Sequence, residues 1–141
     1  MTDNRLNPAR FLAAWGVAFL VMGALDALWL GWLALDFYQR EMGALMADSV
    51  RVVPALLYYL LYPAAVVFLA LTPMPSSARM AALRSAVLGL AAFGVYDLTN
   101  LATLRGYTVT MTVVDMAWGA LATAAGGSAA YHWVLARSRR A

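Results

Sequence analysis

Three carboxylic acids occupy stretches of this chain where only hydrocarbon-facing residues would be expected. Tyr96-Asp97-Leu98-Thr99-Asn100-Leu101-Ala102-Thr103 lies inside a segment apolar enough to span a bilayer, and Asp26 and Asp115 lie inside two others. An Asp at the centre of a spanning helix costs about 2.5–3.5 kcal/mol on insertion scales, so such a residue faces protein or water and usually has a function. Residues three apart share a helix face, as Asp97 and Asn100 do. A carboxyl group that keeps its proton can protonate a substrate while an ionised partner abstracts a proton. Asp97 and Asp26 are the candidate catalytic pair, with Asn100 and Thr99 placed to orient a ligand.

Further candidates follow the same pattern. Asp26-Ala-Leu-Trp29 and Asp115-Met-Ala-Trp118 are both Asp-x-x-Trp, and an indole beside a carboxylate can donate a hydrogen bond to it. Tyr58, Tyr59 and Tyr62 cluster before Pro63, which removes a helix hydrogen bond and frees the carbonyl of Tyr59. That carbonyl must find a partner within the protein. Asp115, Trp29, Trp118, Tyr58, Tyr62 and Arg105 complete the candidate ligand-binding set. Three acids at one level cannot all be ionised uncompensated. Either protons remain on one or two of them, or Arg105, a metal ion or a cationic ligand offsets the charge.

The elements that must position these groups are helices. Of 141 residues, 64% are hydrophobic and only 12% charged, against about 25% charged in soluble domains. The expectation is an all-α, polytopic membrane protein of one domain over residues 1–141. Its bundle has four transmembrane helices, at about 11–35, 52–71, 85–104 and 109–135. The first is too long for a signal-peptide core. An amphipathic segment at 36–51, too polar to span, reads as a short interfacial helix between the first two. Gly119, Thr123 and Gly127, and likewise Ala122, Gly126 and Ala130, recur at four-residue spacing. Small residues so spaced let helix backbones approach closely, within one chain or between two.

Depth aligns the unusual side chains. At 1.5 Å per residue, Asp26, Asp97 and Asp115 lie about 14, 12 and 9 Å from the same ends of their helices. Four spans put both termini on one side. Arg5, Arg10, Arg79, Arg84, Arg137, Arg139 and Arg140 lie there, with Arg40, Arg51 and Arg105 opposite. The positive-inside rule then makes both termini cytoplasmic and puts the acids in the outer half of the membrane.

Composition also excludes chemistry. The chain has no Cys and one His, which removes disulfides, thiolate catalysis and the usual metal-ligand sets, so no metal site is assigned and no motif names a cofactor. His132 lies near the other membrane face and reads as an interfacial residue. No basic run with interleaved aromatics suggests a nucleic-acid surface.

The stretch Tyr96-Asp-Leu-Thr-Asn-Leu-Ala-Thr-Leu-Arg-Gly-Tyr107 resembles a family of small bacterial four-helix predicted membrane proteins, catalogued as a domain of unknown function. Asp26-Ala-Leu-Trp-Leu-Gly31, Phe37-Tyr38 and Val114-Asp-Met-Ala-Trp-Gly119 are similar to it as well. The similarity covers nearly the whole chain. It implies the bacterial inner (cytoplasmic) membrane and marks Asp26, Trp29, Asp97, Thr99, Asn100, Arg105, Asp115 and Trp118 as motif positions. It implies no reaction, though relatives encoded beside membrane-lipid modification genes point toward lipids. The resulting expectation is an intramembrane carboxylate and amide site that binds or modifies a lipid or apolar small molecule. The alternatives are a proton- or cation-coupled transporter, and a non-catalytic assembly partner of another membrane protein. The expected partners are membrane lipid, an apolar ligand, and a second copy or another membrane protein.

Overall fold

The computed structural model describes residues 6–138. Arg5, Arg139 and Arg140 from the charge count lie outside the described residues, as does the side chain of Arg137. The chain forms α1 (Pro8–Leu28), a π-helical turn (Trp29–Leu33), α2 (Leu35–Met42), a 3-10 turn (Gly43–Leu45), α3 (Val52–Ala70), α4 (Ala78–Thr103) and α5 (Val109–Ser138). Four of these stretches are long and apolar enough to cross a membrane. The polytopic helical bundle with a short helix between its first two spans is therefore the observed architecture.

Local chemistry sets the boundaries. Asn7 caps α1 by accepting from the Arg10 amide at 2.8 Å, with Pro8 at the first helical position. Ser77 caps α4 by accepting from the Met80 amide at 3.2 Å, and Thr108 caps α5 by accepting from the Met111 amide at 3.0 Å. The Ser77 cap starts α4 at Ala78 rather than near residue 85, because good helix formers carry it beyond the apolar stretch. Arg79 and Arg84 consequently lie on the helix, where Arg84 Nη1 donates to the Pro73 carbonyl at 3.2 Å. The interfacial segment is α-helical only to Met42. Gly43 adopts a φ of 48°, a left-handed value that ends the helix.

Small residues close the bundle core. Gly89 of α4 lies against Gly119 and Thr123 of α5, and Gly127 lies against Ser85, so a Cβ at either glycine would collide. The stripe Gly119-Thr123-Gly127 therefore faces α4. Gly126 instead lies against Met22 and Ala18 of α1, and Ala130 is buried with Ala14 and Ala18. Both stripes are thus occupied within one chain, each by a different helix.

The two ends of the bundle differ. At one end Ala14, Ala18, Val67, Leu71, Ala81, Ala130, Tyr131 and Val134 form a close-packed apolar cluster. At the other, α2 folds over the α4–α5 turn, where Ala34, Tyr38, Tyr107 and Met111 pack together. The buried residues of α3 are Pro63, Val66, Val67 and Ala70, all in its second half. Its first half leaves Val52, Val53, Leu56, Leu57 and Leu61 exposed. α3 is seated at the packed end and stands clear of the bundle at the α2 end. The interhelical donor near Pro63 is Trp15 Nε1, which reaches the carbonyl of Leu60 at 3.0 Å, one residue beyond the one anticipated.

Candidate functional site

The clearance beside α3 is a cavity of about 540 Å³. α3 contributes Tyr58, Tyr59 and Tyr62, α4 contributes Phe93 and Tyr96, and α5 contributes Met111, Asp115 and Trp118. Asp26 and Leu30 reach it from the first span, and Tyr38 and Met42 from α2. Two carboxylates and a wall of aromatic rings thus face one space at the α2 end of the bundle.

Each acid is held by a ring donor. Trp118 Nε1 donates to Asp26 Oδ1 at 2.8 Å. Tyr38 donates to Asp115 Oδ1 and itself accepts from Trp29 Nε1 at 3.2 Å. Tyr107 donates to Asp97 Oδ1 at 2.6 Å. The indoles of Trp29 and Trp118 stack with centroids 4.4 Å apart and planes 7° apart. The two Asp-x-x-Trp motifs therefore exchange partners: Trp118 of one serves Asp26 of the other, and the stacked Trp29 serves Asp115 through Tyr38. The π-helical turn at Trp29–Leu33 rotates this end of the first span, with the Ala34 amide bonded back to the Trp29 carbonyl at 2.7 Å.

Asp97 is wholly buried and lies behind the cavity wall. Its carboxyl group lies near enough to that of Asp115 for the two charges to interact. Its Oδ2 is buried without a hydrogen-bond donor. Two carboxylates so placed repel unless a proton or cation lies between or beside them. The acids lining the cavity are thus Asp26 and Asp115, with Asp97 directly behind Asp115. Among the described residues none of the three forms an ion pair, and no three acidic or imidazole groups converge as a metal site.

The remaining candidates divide by position. Tyr58 and Tyr62 line the cavity, stacked with centroids 5.4 Å apart, and Tyr62 shares a hydrogen bond with Thr123 at 2.9 Å. Asn100 is half-buried beside Tyr96 and Tyr107. Thr99 is exposed and its hydroxyl returns to the Val95 carbonyl of its own helix at 2.5 Å. Arg105 is exposed in the α4–α5 turn. Thr99, Asn100, Arg105 and Trp29 do not line the cavity.

Two residues outside the candidate set hold the acids. Tyr38 comes from α2, whose docking is reinforced by Thr108 donating to Glu41 at 2.6 Å. Tyr107 follows Gly106, whose φ of 81° turns the chain so that the phenol reaches back to Asp97. Burial pushes the phenols of Tyr38 and Tyr107 well above the ordinary tyrosine value, and the carboxylates that accept their hydrogen bonds push them further. The signal for Tyr107 was local, a tyrosine just after an Arg-Gly turn. For Tyr38 it was only an aromatic in an otherwise polar segment.

No curated protein and no solved structure matches the chain. One family model does, over residues 11–132, a range that takes in all three acids, both indoles and both tying tyrosines. The chain therefore belongs to the family described as predicted membrane protein (DUF2177).

Proposed function

We propose that this protein binds an apolar, lipid-like small molecule that enters sideways from the bilayer, and holds or modifies its polar head at Asp26 and Asp115. The carrying observation is the cavity itself, with half of its lining residues aromatic and two carboxylates where α3 stands clear of the bundle. Ligand sites of about 300–1,000 Å³ with apolar walls and a few convergent polar groups are typical of small-molecule recognition. Asp97 and Asp115 can share one proton, which equips the pair to give a proton to a bound head or to take one. On the orientation read from arginine counts, the site opens in the outer half of a bacterial inner membrane.

The transporter reading has less support. A coupled pathway needs polar groups through both halves of the membrane, and the opposite end of the bundle is the apolar cluster around Ala14, Ala18, Val67 and Leu71.

The test is mass spectrometry of molecules retained by purified wild type, Asp97→Asn and Ala92→Trp. Ala92 lines the cavity, so the indole would fill it. A defined apolar molecule held by wild type and absent from a monodisperse Ala92→Trp protein is the expected result. Equal retention by both proteins, or no specific retention, would sink the reading.

A further inference from the structure

We infer that the head recognised by this cavity is an organic cation: an ammonium group carried on an apolar body. The inference rests on the proposed ligand cavity and specifies its substrate class. Its first support is charge. Asp26 and Asp115 line the space, Asp97 is buried behind it within electrostatic reach of Asp115, and no Arg or His is among the described lining residues. Within low-dielectric surroundings that excess of acid favours a cationic occupant over a neutral or anionic one.

The second support is the hydrogen-bond inventory. The indole of Trp118 and the phenols of Tyr38 and Tyr107 already give their protons to the carboxylates, and Tyr62 is bonded to Thr123. The donors bonded to the acids are thus committed to them, which leaves the carboxylates as the charged acceptors of the site. A phosphate or sulfate head would meet two carboxylates and, among the described lining residues, no cationic side chain to offset its charge.

The third support is the wall. Tyr58, Tyr62, Phe93, Tyr96 and Trp118 present ring systems around the two acids. Aromatic faces attract ammonium groups through their quadrupoles, and cages of such rings recognise quaternary ammonium ligands. A hard metal ion would instead want six or more oxygens or retained water. Met42, Met111 and Leu30 supply apolar surface for the rest of the ligand.

The experiment uses the full-length protein in dodecyl maltoside, a non-ionic micelle. Three photoactivatable hexadecyl probes differ only in their heads: trimethylammonium, hydroxyl and sulfate. Crosslinked sites are mapped by mass spectrometry. The ammonium probe should label Tyr58, Tyr62 or Phe93 saturably, at a concentration at least about tenfold below that needed for the alcohol, a factor equivalent to about 1.4 kcal/mol. The sulfate should label less than the alcohol. Asp26→Asn and Asp115→Asn should bring the ammonium-to-alcohol ratio toward one while alcohol labelling persists, which also reports that the cavity has formed. Unlabelled hexadecylamine and phosphatidylethanolamine, as competitors, separate a free amine from a lipid headgroup as the source. Competition by either agrees with an ammonium head, and competition by neither overturns it. Alcohol labelling as strong as ammonium labelling, or preferred sulfate labelling, overturns the cation while the lateral cavity stands. Absence of saturable labelling at the cavity by all three probes overturns both. The comparison of heads on wild type decides the matter even where a variant fails to fold.

Discussion

Tyr38→Phe removes one oxygen and tests how the site is held together. Tyr38 is only 8% exposed, and its hydroxyl joins Asp115 of α5 to Trp29 of the first span. The phenyl ring can remain between Ala34, Tyr107 and Met111, so the change is confined to two hydrogen bonds. A hydrogen bond to a charged group contributes about 1.5–3 kcal/mol in soluble proteins, and a neutral one about 1. Interhelical bonds inside membranes average only about 0.6 kcal/mol and reach about 1.7, because the unfolded chain in lipid also finds partners. The Tyr38 pair lies at the edge of the bundle beside an open cavity, so water can replace part of what Asp115 loses. We therefore expect a loss of about 1–3 kcal/mol, read from the unfolding midpoint in mixed micelles of dodecyl maltoside and dodecyl sulfate. The coupling to Asp115→Asn in a double-mutant cycle should be about 1 kcal/mol or more. A loss below about 0.5 kcal/mol with no coupling would mean that α2 is held by apolar packing and by Thr108–Glu41, and that the Tyr38 bond positions nothing.

Three other measurements follow from the same geometry. Gly89→Leu should lower the melting temperature steeply or abolish folding, at a cost of about 3 kcal/mol or more, because its Cβ would overlap Gly119 and Thr123. Gly23→Ala, with nothing within 4 Å of its Cβ, should be neutral or mildly stabilising, and equal effects at the two sites would refute the packing described. Alkaline titration of phenol absorbance should show Tyr38 and Tyr107 silent while the fold persists. Their folded values are raised by burial, so the stability linked to them is full below the unfolded value of about 10 and is lost as pH rises above it. Tyr38→Phe/Tyr107→Phe should accordingly flatten the loss of stability above that pH, and an unchanged slope would count against both bonds. The stacked indoles should give a circular-dichroism couplet that disappears in Trp29→Phe and in Trp118→Phe alike, whereas survival in either would contradict the 4.4 Å stack.

Much of the site was legible because a bilayer restricts what an apolar segment can contain. Asp26, Asp97 and Asp115 stood out as carboxylates in hydrocarbon, and counting rise per residue put them at one level, where the structure also brings them together. The small-residue stripes announced close helix approach but not its partners. Gly119, Thr123 and Gly127 look alike in sequence to Ala122, Gly126 and Ala130, and only the bundle shows that one set meets α4 and the other α1. Distance along a helix says nothing of rotation between helices. For that reason Asp97 and Asp115, both read from the sequence as facing one site, separate into one behind the cavity wall and one upon it. The same ignorance of rotation hid the exchange between the Asp-x-x-Trp motifs.

The chain by itself determined the class, the number of spans, their approximate limits and the level of the polar groups. These depend on composition and rise, which are local quantities. Tertiary structure decided which acids face the cavity, that α3 leans away at the α2 end, and that Tyr38 and Tyr107 from outside the spans tie the carboxylates down. Those features arise from how helices are turned against one another and from chain reversals at Gly43 and Gly106, neither of which is written in any single segment's periodicity.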